Sequence, residues 1–133
     1  MTTMNPYIIT IEGDKNEWQY NLKVMGEAMA DGERVDFLSY SDDVAELGSD
    51  IRTVPVNFRP RGVVRLESRA ANELTLYIYS IPHTLPEVQR VEDAVSPELH
   101  VIISHGGEVL YNRRHTLNPW TGANIKIELG AEE

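Results

Sequence analysis

His100 and His115, with the side chains able to join them, are the sharpest chemical feature of this sequence. Between them Gly106 and Gly107 separate two alternating runs, which predicts a hairpin over residues 99–115 with a two-residue turn. In that register His105 faces Glu108, Ile103 faces Leu110 and His100 faces Arg113. His100 and His115 then lie diagonally on one sheet face, close enough to share a metal ion. A third ligand would come from His83, Glu92 or Asp93. Arg113, directly opposite His100, would repel a cation, so a solvated polar face competes for the same residues.

A second candidate chemistry is calcium. Asp31, Asp36, Asp42, Asp43 and Asp50 fall in or near two neighbouring connections, and calcium takes several carboxylate and carbonyl oxygens from loops. No EF-hand spacing accompanies them, and aspartates in turns also serve as caps. A third is a cationic surface: Arg59 and Arg61 bracket a proline turn, and Arg65 and Arg69 extend the patch along the next strand. Arg59, Arg61 and Arg65 are therefore candidate contacts for an acidic partner, with a charged sheet edge as the plainer alternative. Trp120, in a loop of Asn118, Pro119, Thr121 and Gly122, is either an exposed anchor for a partner or a plug for the end of the fold.

Other chemistry is excluded by what the chain lacks. It has no cysteine, hence no disulfide, thiolate zinc site or cysteine nucleophile. No G-x-S-x-G, P-loop, H-E-x-x-H or G-x-G-x-x-G motif occurs, so no enzyme and no cofactor is expected. A net charge of −9 argues against a nucleic-acid partner, because such affinity rests on clustered Lys and Arg. That charge is uneven. Residues 1–50 hold eleven acidic side chains against Lys15, Lys23 and Arg34, whereas Arg52, Arg59, Arg61, Arg65 and Arg69 face only Glu67 across the next stretch. Unlike patches of this kind are compatible with self-association. No apolar run is long enough for a membrane span, and the first residues do not read as a signal peptide, which makes a cytoplasmic location the default expectation.

The elements that must position these residues are strands. The 133 residues carry 41% apolar and 25% charged side chains, enough for one β domain spanning 1–133. Residues 7–12 and 17–24 read as paired strands, with Trp18, Tyr20, Leu22 and Val24 on one face. The second strand continues through a bulge at Gly26 to a turn at Asp31-Gly32. Residues 34–40 follow as a strand with Val35 and Phe37 on one face, and residues 41–47 as one helical turn stopped by Gly48. An edge strand is expected over 52–58, since Pro55 lacks a donor. Residues 62–68 and 74–81 read as a further pair, the latter central and covered on both faces.

Thr84 and Glu87 form a capping box, and Val88, Val91 and Val95 recur at helical spacing, which predicts a short helix near residues 86–95. A strand over 124–129 closes the set. Short strands at about ten-residue spacing predict an all-β fold, an antiparallel two-sheet β-sandwich of Greek-key or jelly-roll type. The function expected of it is a non-enzymatic protein-protein interaction or assembly module, including self-association. Two alternatives stay open: a small acidic inhibitor of a basic protein, and a jelly-roll protein binding a ligand or metal through His100 and His115.

Overall fold

A computed structural model describes residues 4–87 and 94–130. Alternating polarity becomes eight strands: β1 (Asn5–Gly13), β2 (Tyr20–Ala30), β3 (Glu33–Ser41), β4 (Val63–Ala71), β5 (Glu73–Pro82), β6 (Glu98–His105), β7 (Glu108–Thr116) and β8 (Ala123–Gly130). They form two four-stranded antiparallel sheets, ordered β4-β1-β6-β7 and β3-β2-β5-β8. The expected β-sandwich is therefore what the chain adopts. Tyr7, Ile9, Ile11, Leu99, Val101 and Ile103 of the first sheet face Leu22, Val24, Leu74, Leu76 and Ile78 of the second across one apolar core. Among the described residues no helix is long and apolar enough to cross a membrane.

Connectivity departs from the sequence expectation. Among the described strands β2–β3 and β6–β7 are hairpins, and the other five successive pairs lie in different sheets. Residues 7–12 and 17–24 do not pair, because β1 joins β4 and β6 while β2 joins β3 and β5. Likewise β4 and β5 lie in different sheets, turned by Asn72 alone, whose backbone N–H donates to Met29 O at 2.9 Å. Trp18 precedes β2 in a 3-10 turn, Glu17–Gln19. No helical turn forms over residues 41–47, and no edge strand forms over 52–58. Residues 42–62 instead make one long connection, in which Pro55 caps a turn by accepting from Phe58 N at 3.0 Å. The helix expected near 86–95 falls largely on residues 88–93, outside those described. Thr84 Oγ1, its expected cap, accepts from Ile51 N.

Bulges move whole faces. In β3 the extra residue is Val35, not a partner of Gly26, so Leu38 turns into the core while Phe37 points out and stays 54% exposed. β5 is central, as expected, but Thr75, Tyr77 and Tyr79 are only half covered on its outer face. In β4 a bulge at Ser68 and Arg69 opposes Tyr7, whose buried N–H donates to Ser68 Oγ at 3.0 Å. Ser68→Ala removes that acceptor, and an unsatisfied buried donor costs about 1–3 kcal/mol. Urea denaturation should show that loss, with an unchanged slope.

Candidate functional site

The hairpin over residues 99–115 forms with Gly106 and Gly107 both at positive φ, and His105 faces Glu108 as expected. Beyond that the register shifts. Leu110 is a bulge residue, so Ile103 pairs with Tyr111 and His100 with Arg114. His115 consequently stands opposite Leu99, on the core-facing side, and His100 on the outer side. The two cannot share a metal ion. His100 Nε2 donates to Asn112 Oδ1 at 2.6 Å, and His115 Nε2 is bonded to the Tyr111 hydroxyl at 2.8 Å. His83, the proposed third ligand, is buried elsewhere. Its Nε2–H donates to Trp18 O at 2.8 Å, which leaves Nδ1 to accept from Thr84 Oγ1 at 2.8 Å. Among the described residues no three His, Asp or Glu side chains are grouped to hold a metal.

Each candidate calcium ligand already has a protein donor. Asp31 and Asn72 are bonded across the sandwich edge, and Asp36 accepts from Phe37 N and Arg69 N. Asp43 pairs with Lys23 at 2.9 Å and Asp50 with Arg52 at 2.7 Å. Asp42 is the centre of a larger assembly.

That assembly is built on Arg61, which sequence reading placed on the surface. Its side chain keeps only 5% of its area exposed. Residues 42–62 fold over one end of the sandwich, and Arg61 returns beneath them. Its Nε and Nη2 both bond the Asp42 carboxylate, Nη2 also donates to Tyr20 O at 2.7 Å, and Nη1 donates to Glu17 O. The guanidinium stacks 4.6 Å from the Tyr20 ring centroid. Asp42 accepts further bonds from Leu22 N at 3.0 Å and the Tyr40 hydroxyl at 2.9 Å. Burial pushes the Asp42 carboxyl up, but the bonds from Arg61, Leu22 and Tyr40 outweigh it and hold it below the ordinary value. Burial also pushes the Tyr20 hydroxyl up to about 12.

Glu17 behaves oppositely. Burial raises its carboxyl above the ordinary value, more than Arg61, 3.8 Å away, lowers it. A raised carboxyl costs stability while ionised and ceases to do so once protonated. Glu17→Gln should therefore raise the melting temperature at neutral pH, and the gain should shrink as pH falls through the folded-state value toward the ordinary one. Paired melts at pH 7 and pH 4 read it directly.

The remaining candidates are dispersed. Arg59 is exposed on a groove of about 530 Å³ lined by Tyr40, Asp43, Val44, Asn57 and Phe58, with the Arg61–Asp42 pair among its walls. Arg65 is exposed on β4, 3.1 Å from Glu67. Trp120, half buried, follows β7 at the opposite edge of that sheet, its backbone N–H donating to Asn118 Oδ1 at 2.8 Å. No single surface collects all four.

The alternation of Thr75, Tyr77 and Tyr79 places both tyrosines on one sheet face, and that face is the outer one of the second sheet. There Tyr77 lies between Met25 and Lys126, and Tyr79 between Lys23 and Asn124. The tyrosine rings stand 6.5 Å apart, their planes within 5°, and Lys126 Nζ is 5.7 Å from the Tyr77 ring. Met25 and Phe37 are 42% and 54% exposed on the same face. The available signal was the Thr75, Tyr77, Tyr79 alternation.

No family model and no curated protein matches this chain. Solved structures do. The calcium-bound form of a protein from Parabacteroides distasonis, determined by NMR, superposes with a TM-score of 0.57 at 13% identity, over 96% of this chain and 95% of that one. A DUF4425 family protein from Bacteroides ovatus gives 0.52 at 9% identity, over 95% and 93%. A DUF4425 domain of unknown function from Bacteroides vulgatus gives 0.52 at 12% identity, over 100% and 98%. At such identities the likeness is one of fold.

Proposed function

We propose that this chain is a non-enzymatic protein-interaction module whose partner seats on the outer face of the second sheet. The observation that supports the reading is the cluster of exposed Met25 and Phe37 with half-buried Tyr77 and Tyr79 on one four-stranded sheet face. Tyrosine, phenylalanine and methionine are the residue types enriched at protein interfaces, and contiguous exposed apolar surface marks such sites. Lys23, Glu27, Lys126 and Glu128 supply a charged surround on the same face. The Parabacteroides distasonis protein is calcium-bound, whereas in this chain Asp31, Asp36, Asp42, Asp43 and Asp50 are engaged by protein donors.

The test is capture from the native host on immobilised protein, with light scattering of the free protein alongside. Tyr77→Ala combined with Met25→Ser should weaken retention of the captured partner by about 2 kcal/mol or more, the scale of an interface hot spot. Retention unchanged by that pair of substitutions would refute the reading.

A further inference from the structure

We propose that the free edge of β7 accepts a further strand from a partner segment carrying two adjacent acidic residues. β7 closes the strand order of the first sheet, so among the described residues no strand lies beside one side of its backbone. Exposed strand edges recruit extended chains through main-chain hydrogen bonds, and side chains set the specificity. Most of β7 is exposed on both faces, including Val109 at 55% and Leu110 at 41%.

The contrast with β4, at the other edge of the same sheet, indicates the partner's chemistry. There one edge donor is taken, Arg69 N by Asp36 of β3, and Arg65 pairs with Glu67 of its own strand, although the Arg69 side chain has no carboxylate partner among the described residues. On β7, Arg113 and Arg114 have no carboxylate partner among the described residues, in a chain of net charge −9. Their faces differ. Arg113 is opposite the buried Val101 and Arg114 opposite the outward His100, so the two cations straddle the edge. Residues directly across a strand pair share a face. An incoming strand would therefore meet them with two consecutive Asp or Glu residues, and its apolar residues would reach Val109 and Leu110. Basic residues on an edge also deter strands in general, but a deterrent excludes every strand whereas a cation pair selects acidic ones.

The probe is a fluorescent extended peptide with adjacent glutamates among valines and threonines, beside a second with lysines in the glutamate positions. The proposal expects the glutamate peptide to bind with salt-sensitive affinity and to slow hydrogen exchange in β7. Arg113→Glu with Arg114→Glu, both exposed, should leave the circular dichroism unchanged, weaken the glutamate peptide at least about ten-fold and improve the lysine peptide. Tyr77→Ala should leave this binding intact, which separates it from the proposal above. Equal binding of both peptides, no effect of the charge reversal, or protection of a strand other than β7 would overturn it. So would a dimer of the free protein that dissociates on the same charge reversal, since the edge would then be occupied by a second copy.

Discussion

Arg61→Met should lower the free energy of unfolding by about 3 kcal/mol, because removing one partner strands the other in a poorly solvated site. The low end of the range applies, since the Asp42 side chain is still 21% exposed. Loss of the guanidinium also leaves Tyr20 O and Glu17 O without the donor they now share. A domain has only about 5–15 kcal/mol in total, so the effect is large. Urea denaturation at pH 7 measures it. Arg61→Lys should cost less, because an ammonium keeps one contact to Asp42 but cannot serve two carbonyls and a carboxylate at once. Adding Asp42→Asn to Arg61→Met should recover part of the loss by removing the stranded charge. The folded-state Asp42 carboxyl lies below its ordinary value, so its contribution is present above that ordinary value and disappears as pH falls through the folded one. The wild-type advantage over Asp42→Asn should shrink in the same window. An Arg61→Met protein as stable as wild type would show that the assembly contributes nothing.

Gly122→Ala should be more severe. Gly122 has φ +76°, and an added Cβ would sit 1.8 Å from Ser80 O and 2.9 Å from Pro82 Cδ, atoms of β5. The obstruction includes central-strand backbone, which cannot turn aside as a side chain end can. Destabilisation beyond about 4 kcal/mol, or failure to fold, is expected. Gly107→Ala is the control: φ is +83°, but nothing lies within 4 Å of its added Cβ. It should cost only about 1 kcal/mol, the conformational term alone. Thermal melts of the two variants separate steric contact from backbone preference. Equal effects would place the whole cost in the backbone.

What the sequence made legible was local. Alternation located most strands, and the two-residue turns at Asp31-Gly32 and Gly106-Gly107 formed where turn chemistry placed them. What escaped was whatever depends on a distant partner. A run of Gly, Asp, Lys and Asn suits a hairpin and a crossing between sheets equally well, so β1 and β2 read as neighbours. Bulges at Val35, Leu110 and Ser68 carry no residue signature, yet each reverses the faces beyond it. The His100–His115 pairing failed at one such residue. Arg61 reads as a surface cation because its acceptors, Glu17 O, Tyr20 O and Asp42, are far away in sequence. A legible hint was the acid pair Asp42-Asp43 opening the connection that ends at Arg61.

The sheet order also governs what happens while the chain is being made. β1 is flanked by β4 and β6, so Ile9 and Ile11 have no neighbouring strand until Val63–Ala71 exists, and β1 is not enclosed until Glu98–His105 follows. The hairpin that can form early, β2–β3, belongs to the opposite sheet and cannot shelter β1 within its own. An apolar strand with no partner attracts other chains, and folds assembled from distant pairings take on the order of milliseconds to seconds once complete. Synthesis of this domain thus passes through an interval in which β1 lacks the strands that flank it, and slowing translation before β4 should increase its capture by chaperones.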